Sequence, residues 1–247
     1  MLQRDKFSNG FRLAFLCILL AANVRLSLSA QTTTAPLDIR SKGSAQAPVT
    51  VYEMSDFQCP YCRQFATETF PRLERDYIAA GKVRWVFINF PLTSVHQHAA
   101  AAAQLGLCAA QQKKFWPIHD LLFKYQETWA PLKEAGPFFV SLADSARLAK
   151  STLISCLESP ETVNRVRADA EGAARSGATS TPTFYIEGGL LEGAQPLAVF
   201  RQVLDSVYLV RTGRTGKTGG AGTKDGKDGK DGIDGKVGSQ GEKAEMR

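Results

Sequence analysis

The sequence predicts an α/β fold in the order β-α-β, a block of helices, then β-β-α. Three observations carry that prediction. Two runs with strand character, one opening at Val49 and one covering Val83 to Phe90, flank a long helical pattern. Residues 95–178 show helical periodicity with no convincing strand. Strand character returns at Thr183-Phe184-Tyr185-Ile186, followed by a Gly188-Gly189 turn signal and a closing helix.

Taken in chain order, residues 1–30 read as an export signal. Arg4, Lys6 and Arg12 precede an apolar stretch from Leu13 to Ala22, with Ser27, Ser29 and Ala30 after it. The stretch is short against the ~20 residues that a membrane helix needs. An uncleaved anchor is the alternative, because Arg25 could act as a stop and no clean A-x-A site is present. Cys17 has Ala14-Phe15-Leu16 before it, a poor lipoprotein signal. Residues 31–47 are polar and short-chained, a lead-in expected to have little order.

The first strand opens at Pro48, with Val49, Val51 and Glu53 on one face. A short turn, Asp56-Phe57-Gln58, leads to Cys59-Pro60-Tyr61-Cys62 and a helix expected to run to about Ala80, capped by Gly81. The strand at Val83 to Phe90 completes a βαβ unit, expected to have parallel strands and a right-handed crossover. Helices are expected over His96 to Gln112, Phe115 to Gln126, Gly136 to Leu148 and Glu161 to Ser176. After the hairpin at Thr183 to Gly193, a last helix is expected from Pro196 to about Val210.

From residue 211 the composition changes. Glycine recurs every third residue at Gly213, Gly216, Gly219 and Gly222, and again from Gly226 to Gly241. The period is collagen-like, but the segment has no proline and too few apolar residues for a core. A disordered tether is the favoured reading of 211–247, and a trimerising triple helix the alternative.

Charge excludes one class of function. The chain carries a formal net charge of +6. Residues 31–210 hold 17 basic and 17 acidic residues, so the excess sits in the two ends and the body has no basic footprint for nucleic acid. Apart from Cys17, the cysteines number four: Cys59, Cys62, Cys108 and Cys156. An even count in an exported chain suits an oxidising compartment.

Two cysteines spaced C-x-x-C at the start of a helix make a redox motif with a mechanism. The positive end of the helix dipole favours a thiolate at Cys59, and Pro60 occupies a first-turn position that needs no N–H donor. A structural disulfide and half of a zinc site are the rival readings. Zinc needs two further ligands, and no second C-x-x-C or H-x₃₋₅-H pair supplies them. His96 and His98, one residue apart in an expected helix, point in different directions, and no metal site is expected.

SDFQCPYC, the later FWPIHDLLF and the STPTFYI strand together resemble DsbA-like thiol:disulfide oxidoreductases of the thioredoxin-fold superfamily. The resemblance covers roughly Pro48 to Val210, with the helical insertion at 95–178, and leaves the tail without a counterpart. It implies a periplasmic or secreted enzyme that exchanges disulfides with unfolded or reduced exported proteins and is recycled by a second redox partner. Membrane contact is expected only through the signal segment if it stays uncleaved. No cofactor is implied beyond the Cys59–Cys62 disulfide. Cys59 is implied as the exposed attacking cysteine and Cys62 as the buried resolving one.

The resemblance also implies that the Thr181–Pro182 bond is cis beside the C-x-x-C, with Thr181 offering backbone groups to a substrate chain; an ordinary strand-leading proline is the bland alternative. Glu53, six residues before Cys59, matches a buried acid that takes a proton from Cys62 through water, against the alternative of an exposed strand carboxylate. Cys108 and Cys156 match a second disulfide carried by some relatives, against two separate buried thiols. The aromatics Phe115, Trp116, Phe123 and Trp129 are read as core rather than a peptide groove, and His119 as structural.

Tyr61 lacks the imidazolium charge of the histidine common at this place in the most oxidising members, so an oxidant of intermediate strength is expected. Two rivals remain: a disulfide isomerase or reductase oligomerised by the tail, and a non-catalytic binding or display protein on a thioredoxin scaffold.

Overall fold

The computed structural model describes residues 37–214; the expected export segment and nearly all of the glycine-repeat tail lie outside the described residues. Five strands form one sheet, β1 (Ser41–Lys42), β2 (Val49–Ser55), β3 (Val83–Asn89), β4 (Thr183–Ile186) and β5 (Gly189–Glu192), in spatial order β1-β3-β2-β4-β5. β2 and β3 run parallel; β4 is antiparallel to β2, β5 to β4 and β1 to β3. This is the thioredoxin fold that the order of sequence elements predicts.

The crossover from β2 to β3 is a helical run, α1 (60–78), built of the segments Pro60–Gln64, Phe65–Thr69, Phe70–Leu73 and Glu74–Ile78. The second and fourth have π-helical bonding, with the Phe70 N–H donating to Phe65 O and the Ala79 N–H to Glu74 O. Pro71 supplies a reason for the first π turn: it has no N–H, and its ring would clash with the carbonyl four residues back. The wider turn also brings Phe65 and Phe70, five residues apart, to one side. Their rings lie 5.8 and 5.3 Å from Trp85. Phe184 and Phe200 complete this cluster, all of it buried. Each such ring contributes roughly 1.5–3 kcal/mol relative to exposure.

Between β3 and β4 lie α2 (Ala99–Gln111), α3 (Phe115–Lys124), α4 (Gln126–Trp129), α5 (Gly136–Ser145), α6 (Lys150–Leu157) and α7 (Pro160–Arg175); α8 (Leu197–Thr212) follows β5. The block covers one side of the active-site loop. Its core, including Phe57, Phe115, Ile118, Leu122, Phe123 and Trp129, is continuous with Cys59 and Cys62.

Four local expectations need correction. Ser41–Lys42, in the stretch expected to have little order, pair with β3; Trp116 Nε1 donates to Ser41 O, and Lys42 pairs with Glu74. α2 begins at Ala99, three residues late, because His96 and His98 are used by side-chain and backbone bonds in the preceding turn. α6, which carries Cys156, has only two buried residues and so a weak periodic signature. The tight turn of the hairpin is Glu187-Gly188, both at positive φ, one residue earlier than the Gly-Gly pair suggests.

Candidate active site

β2 delivers its chain to the site. It ends at Ser55, the chain turns through Asp56-Phe57-Gln58, and Cys59 takes the N-cap position of α1 in extended conformation with Pro60 next. The turn is closed by the Cys59 N–H donating to Asp56 O at 3.1 Å. The Asp56 carboxylate, fully buried, accepts from Gln58 N (2.7 Å), Leu92 N (2.8 Å) and the His96 ring (2.8 Å). Gln126, buried in α4, donates its one amide nitrogen to both Phe57 O (2.7 Å) and Cys59 O (2.9 Å). Gln58 bridges Ala130 O and His98 N. The helical block thus clamps the loop backbone by polar contacts that no spacing in the sequence announces.

Cys59 and Cys62 are both free thiols in this structure. The sequence led to an exposed Cys59, but its residue surface is only 4% accessible. The cause is the segment before β4: the Thr181–Pro182 bond is cis, and Thr181 O lies 3.3 Å from Cys59 Sγ and accepts its S–H. Exposure at the mouth belongs instead to Pro60 and to Tyr61, which is 63% accessible. Cys62 is wholly buried, and the Asp56 N–H donates to its Sγ at 3.4 Å.

The two thiols are driven in opposite directions. Cys59 is lowered to about 6, chiefly by the hydrogen bond from the Cys62 thiol, against the cost of burial, with Thr181 and the first-turn N–H groups of Cys62 and Tyr61 adding to it. Those N–H groups are the unpaired donors of a helix start. The Thr181 hydroxyl is buried without a hydrogen-bond partner. Cys62 is pushed well up by burial, by its bond to Cys59 and by the Cys59 charge. A lowered thiol beside a raised one suits thiol–disulfide exchange.

Glu53 is 1% accessible, not an exposed strand carboxylate. Its Oε2 accepts from Trp85 Nε1 at 2.8 Å, while Oε1 is buried without a partner. Burial pushes its carboxyl up; the His119 charge, Trp85 and Ser55 work against that. His119 itself is buried among aromatic rings with its Nδ1 2.8 Å from Asp120 Oδ1. Cys108 and Cys156 are joined by a disulfide that links α2 to α6. Among the described residues no cluster of three or more His, Cys, Asp or Glu could hold a metal, and no helix is long and apolar enough to cross a membrane.

Comparison with known proteins agrees with this geometry. The family profile described as thioredoxin matches residues 37–206. The probable disulfide bond formation protein D of Bacillus anthracis is 31% identical over 155 residues, covering 61% of this chain and 70% of that protein. The Na(+)/H(+) antiporter NhaA 3 of Salinispora tropica is 35% identical over 147 residues, 60% of this chain; the match spans only 21% of that antiporter's length. Among solved structures, Wolbachia pipientis alpha-DsbA1 superposes with a TM-score of 0.64 at 22% identity, over 71% of this chain and 93% of that one, a likeness of fold. The chain belongs to the thioredoxin family, in the group that includes the disulfide bond formation proteins D.

Proposed function

We propose that this chain is a thiol:disulfide oxidoreductase acting mainly as a dithiol oxidase through Cys59 and Cys62. The observation that carries the reading is the opposite displacement of two adjacent thiols at a helix start. Cys59 is lowered to about 6 and Cys62 is raised, with Cys59 Sγ against Thr181 of the cis-proline segment. The names borne by the Bacillus relatives support the class of reaction.

In the oxidised protein, a substrate thiolate attacks Cys59 Sγ. The Cys59–Cys62 bond breaks, its electron pair goes to Cys62 Sγ, and a mixed disulfide forms between substrate and Cys59. Cys62, a poor thiolate in its buried site, takes up a proton. A second substrate thiolate then attacks the substrate sulfur, and Cys59 leaves as a thiolate stabilised by the helix start. Two electrons pass from substrate to protein. Thr181 offers backbone groups to the substrate chain, and Glu53 supplies the proton to Cys62 in this direction and receives it in the reverse.

Unfolded or reduced exported proteins are the substrates in this reading, reached after export directed by residues 1–30, and a second redox protein restores the disulfide. Sulfur carries the electrons, so no metal or organic cofactor takes part. The test mixes oxidised protein with a reduced, unfolded, cysteine-containing protein and counts thiols on both. One substrate disulfide should form per Cys59–Cys62 pair reduced, and Cys59→Ser should abolish it. Disulfide formation at the wild-type rate in Cys59→Ser would overturn the reading.

A further inference from the structure

Two buried polar atoms of β2 have no partner: Glu53 Oε1 and Ser55 Oγ. Both residues lie on β2, two apart and therefore on the same face, and each is 1% accessible. The next residue, Asp56, holds Cys62 Sγ through its backbone N–H at 3.4 Å. Ser55 thus stands in the chain between the Glu53 carboxyl and the point where β2 meets the Cys62 sulfur. A hydroxyl donates one proton while accepting another, which a carboxylate or a thiolate alone cannot do. Buried hydroxyl and carboxyl oxygens ordinarily have hydrogen-bond partners.

We propose that the Ser55 hydroxyl is the proton relay between Glu53 and Cys62. This deepens the reading given above and rests on it. When the Cys59–Cys62 bond breaks, Cys62 Sγ gains the electron pair and takes the proton of Ser55 Oγ. Ser55 Oγ takes the proton of the Glu53 carboxyl. The step ends with a Cys62 thiol, an intact Ser55 hydroxyl and a Glu53 carboxylate, which solvent reprotonates; in the reverse direction every transfer inverts.

The surroundings suit a short route. Glu53 faces Trp85 of β3, whose indole holds Oε2 and leaves Oε1 unpaired. His119 of α3 supplies the charge that tempers the carboxyl, and Ser55 favours the charged form of both Glu53 and Cys62. The charged or titratable groups around the route are Cys59 at the N-cap of α1, Cys62 of α1, Asp56 just after β2, Glu53 and His119. Only Glu53 combines a raised carboxyl with an unpaired oxygen on the Ser55 face.

The experiment follows the reduction of the oxidised protein by a cysteine-containing peptide in stopped flow from pH 5 to 9, for wild type, Ser55→Ala, Ser55→Thr, Glu53→Gln and the Ser55→Ala/Glu53→Gln pair. The relay predicts that Ser55→Ala slows mixed-disulfide formation roughly a hundredfold near neutrality, at the low end of what a positioned proton donor supplies. Ser55→Thr, which keeps the hydroxyl, restores most of the rate, and the double variant is no slower than Glu53→Gln. The Cys59 thiolate titration in Ser55→Ala reports that the site is otherwise intact. A wild-type rate in Ser55→Ala, a Ser55→Thr no faster than Ser55→Ala, or additive losses in the pair overturn the relay. Glu53→Gln at full speed removes the proton donor and the relay with it, whereas loss of exchange chemistry in wild type, with its Cys59–Cys62 disulfide intact, sinks the functional reading itself.

Discussion

Trp85 donates its indole N–H to Glu53 Oε2 at 2.8 Å, in a core where neither side chain meets solvent. That single bond holds the carboxyl in place and leaves its second oxygen unpaired. It also sets a pH-dependent cost. Burial raises the Glu53 carboxyl above its unfolded value. Its favourable contribution is therefore complete below the unfolded pKa and lost as pH rises through the folded one.

Glu53→Gln keeps an acceptor for Trp85 and removes the charge. It should be more stable than wild type at pH 8, by on the order of 1 kcal/mol, with the gain shrinking toward pH 4. Urea unfolding at the two pH values checks this. A variant less stable at pH 8 than at pH 4, relative to wild type, would show that the carboxylate is fully compensated in the core.

Cys62→Ala removes the largest cause of the low Cys59 value, the hydrogen bond from the Cys62 thiol. The Cys59 midpoint should rise from about 6 toward the roughly 8.5 of a free thiol, without reaching it, because the helix start and Thr181 remain. Ultraviolet absorbance of the thiolate follows the titration. A midpoint unchanged by the substitution would assign the effect to the helix start alone.

The same low thiol makes the reduced protein gain stability with pH. Between about 6 and the ordinary thiol range, the unfolded chain binds a proton at Cys59 that the folded chain does not. The contribution is fully present above the unfolded pKa and lost as pH falls through about 6. The oxidised protein has no such thiolate. The stability of reduced over oxidised protein should therefore increase from pH 6 to pH 8.5, as paired denaturation curves would show; a difference flat across that window would contradict it.

The Cys108–Cys156 disulfide closes a span of 48 residues across α2 and α6. Replacing both cysteines by alanine should lower stability by about 4 kcal/mol, from the loop-closure entropy of a chain of that length. Exchange at Cys59 should persist in the folded fraction. Chemical unfolding of the double variant measures the first and a thiol-transfer assay the second.

The order of elements along the chain and the C-x-x-C helix start are legible because period-2 and helical patterns, together with a C-x-x-C spacing, are local signals. Val49, Val51 and Glu53 share the buried face that their alternation implies. The polar clamp was not legible. Asp56, Gln58, His96, His98 and Gln126 reach the loop from separate elements, and nothing in their spacing records that Gln126 holds two carbonyls 67 and 69 residues away. Cys59 looked exposed because a helix start usually is; its cover comes from Thr181, 122 residues later. Pro71 was the one overlooked local signal, since a proline in mid-helix marks the π turn beside it. Ser55 gave no signal, because a serine ending a strand is ordinary until its hydroxyl proves to be buried and unpaired.

The most direct test is the reduction potential of Cys59–Cys62, measured by equilibration in glutathione buffers. A Cys59 thiol near 6, with Tyr61 and no imidazolium beside it, predicts a value between that of thioredoxin, about −270 mV, and that of the strongest oxidants of the class, about −120 mV. A potential at or below about −270 mV would make the pair a reductant and contradict the oxidase reading.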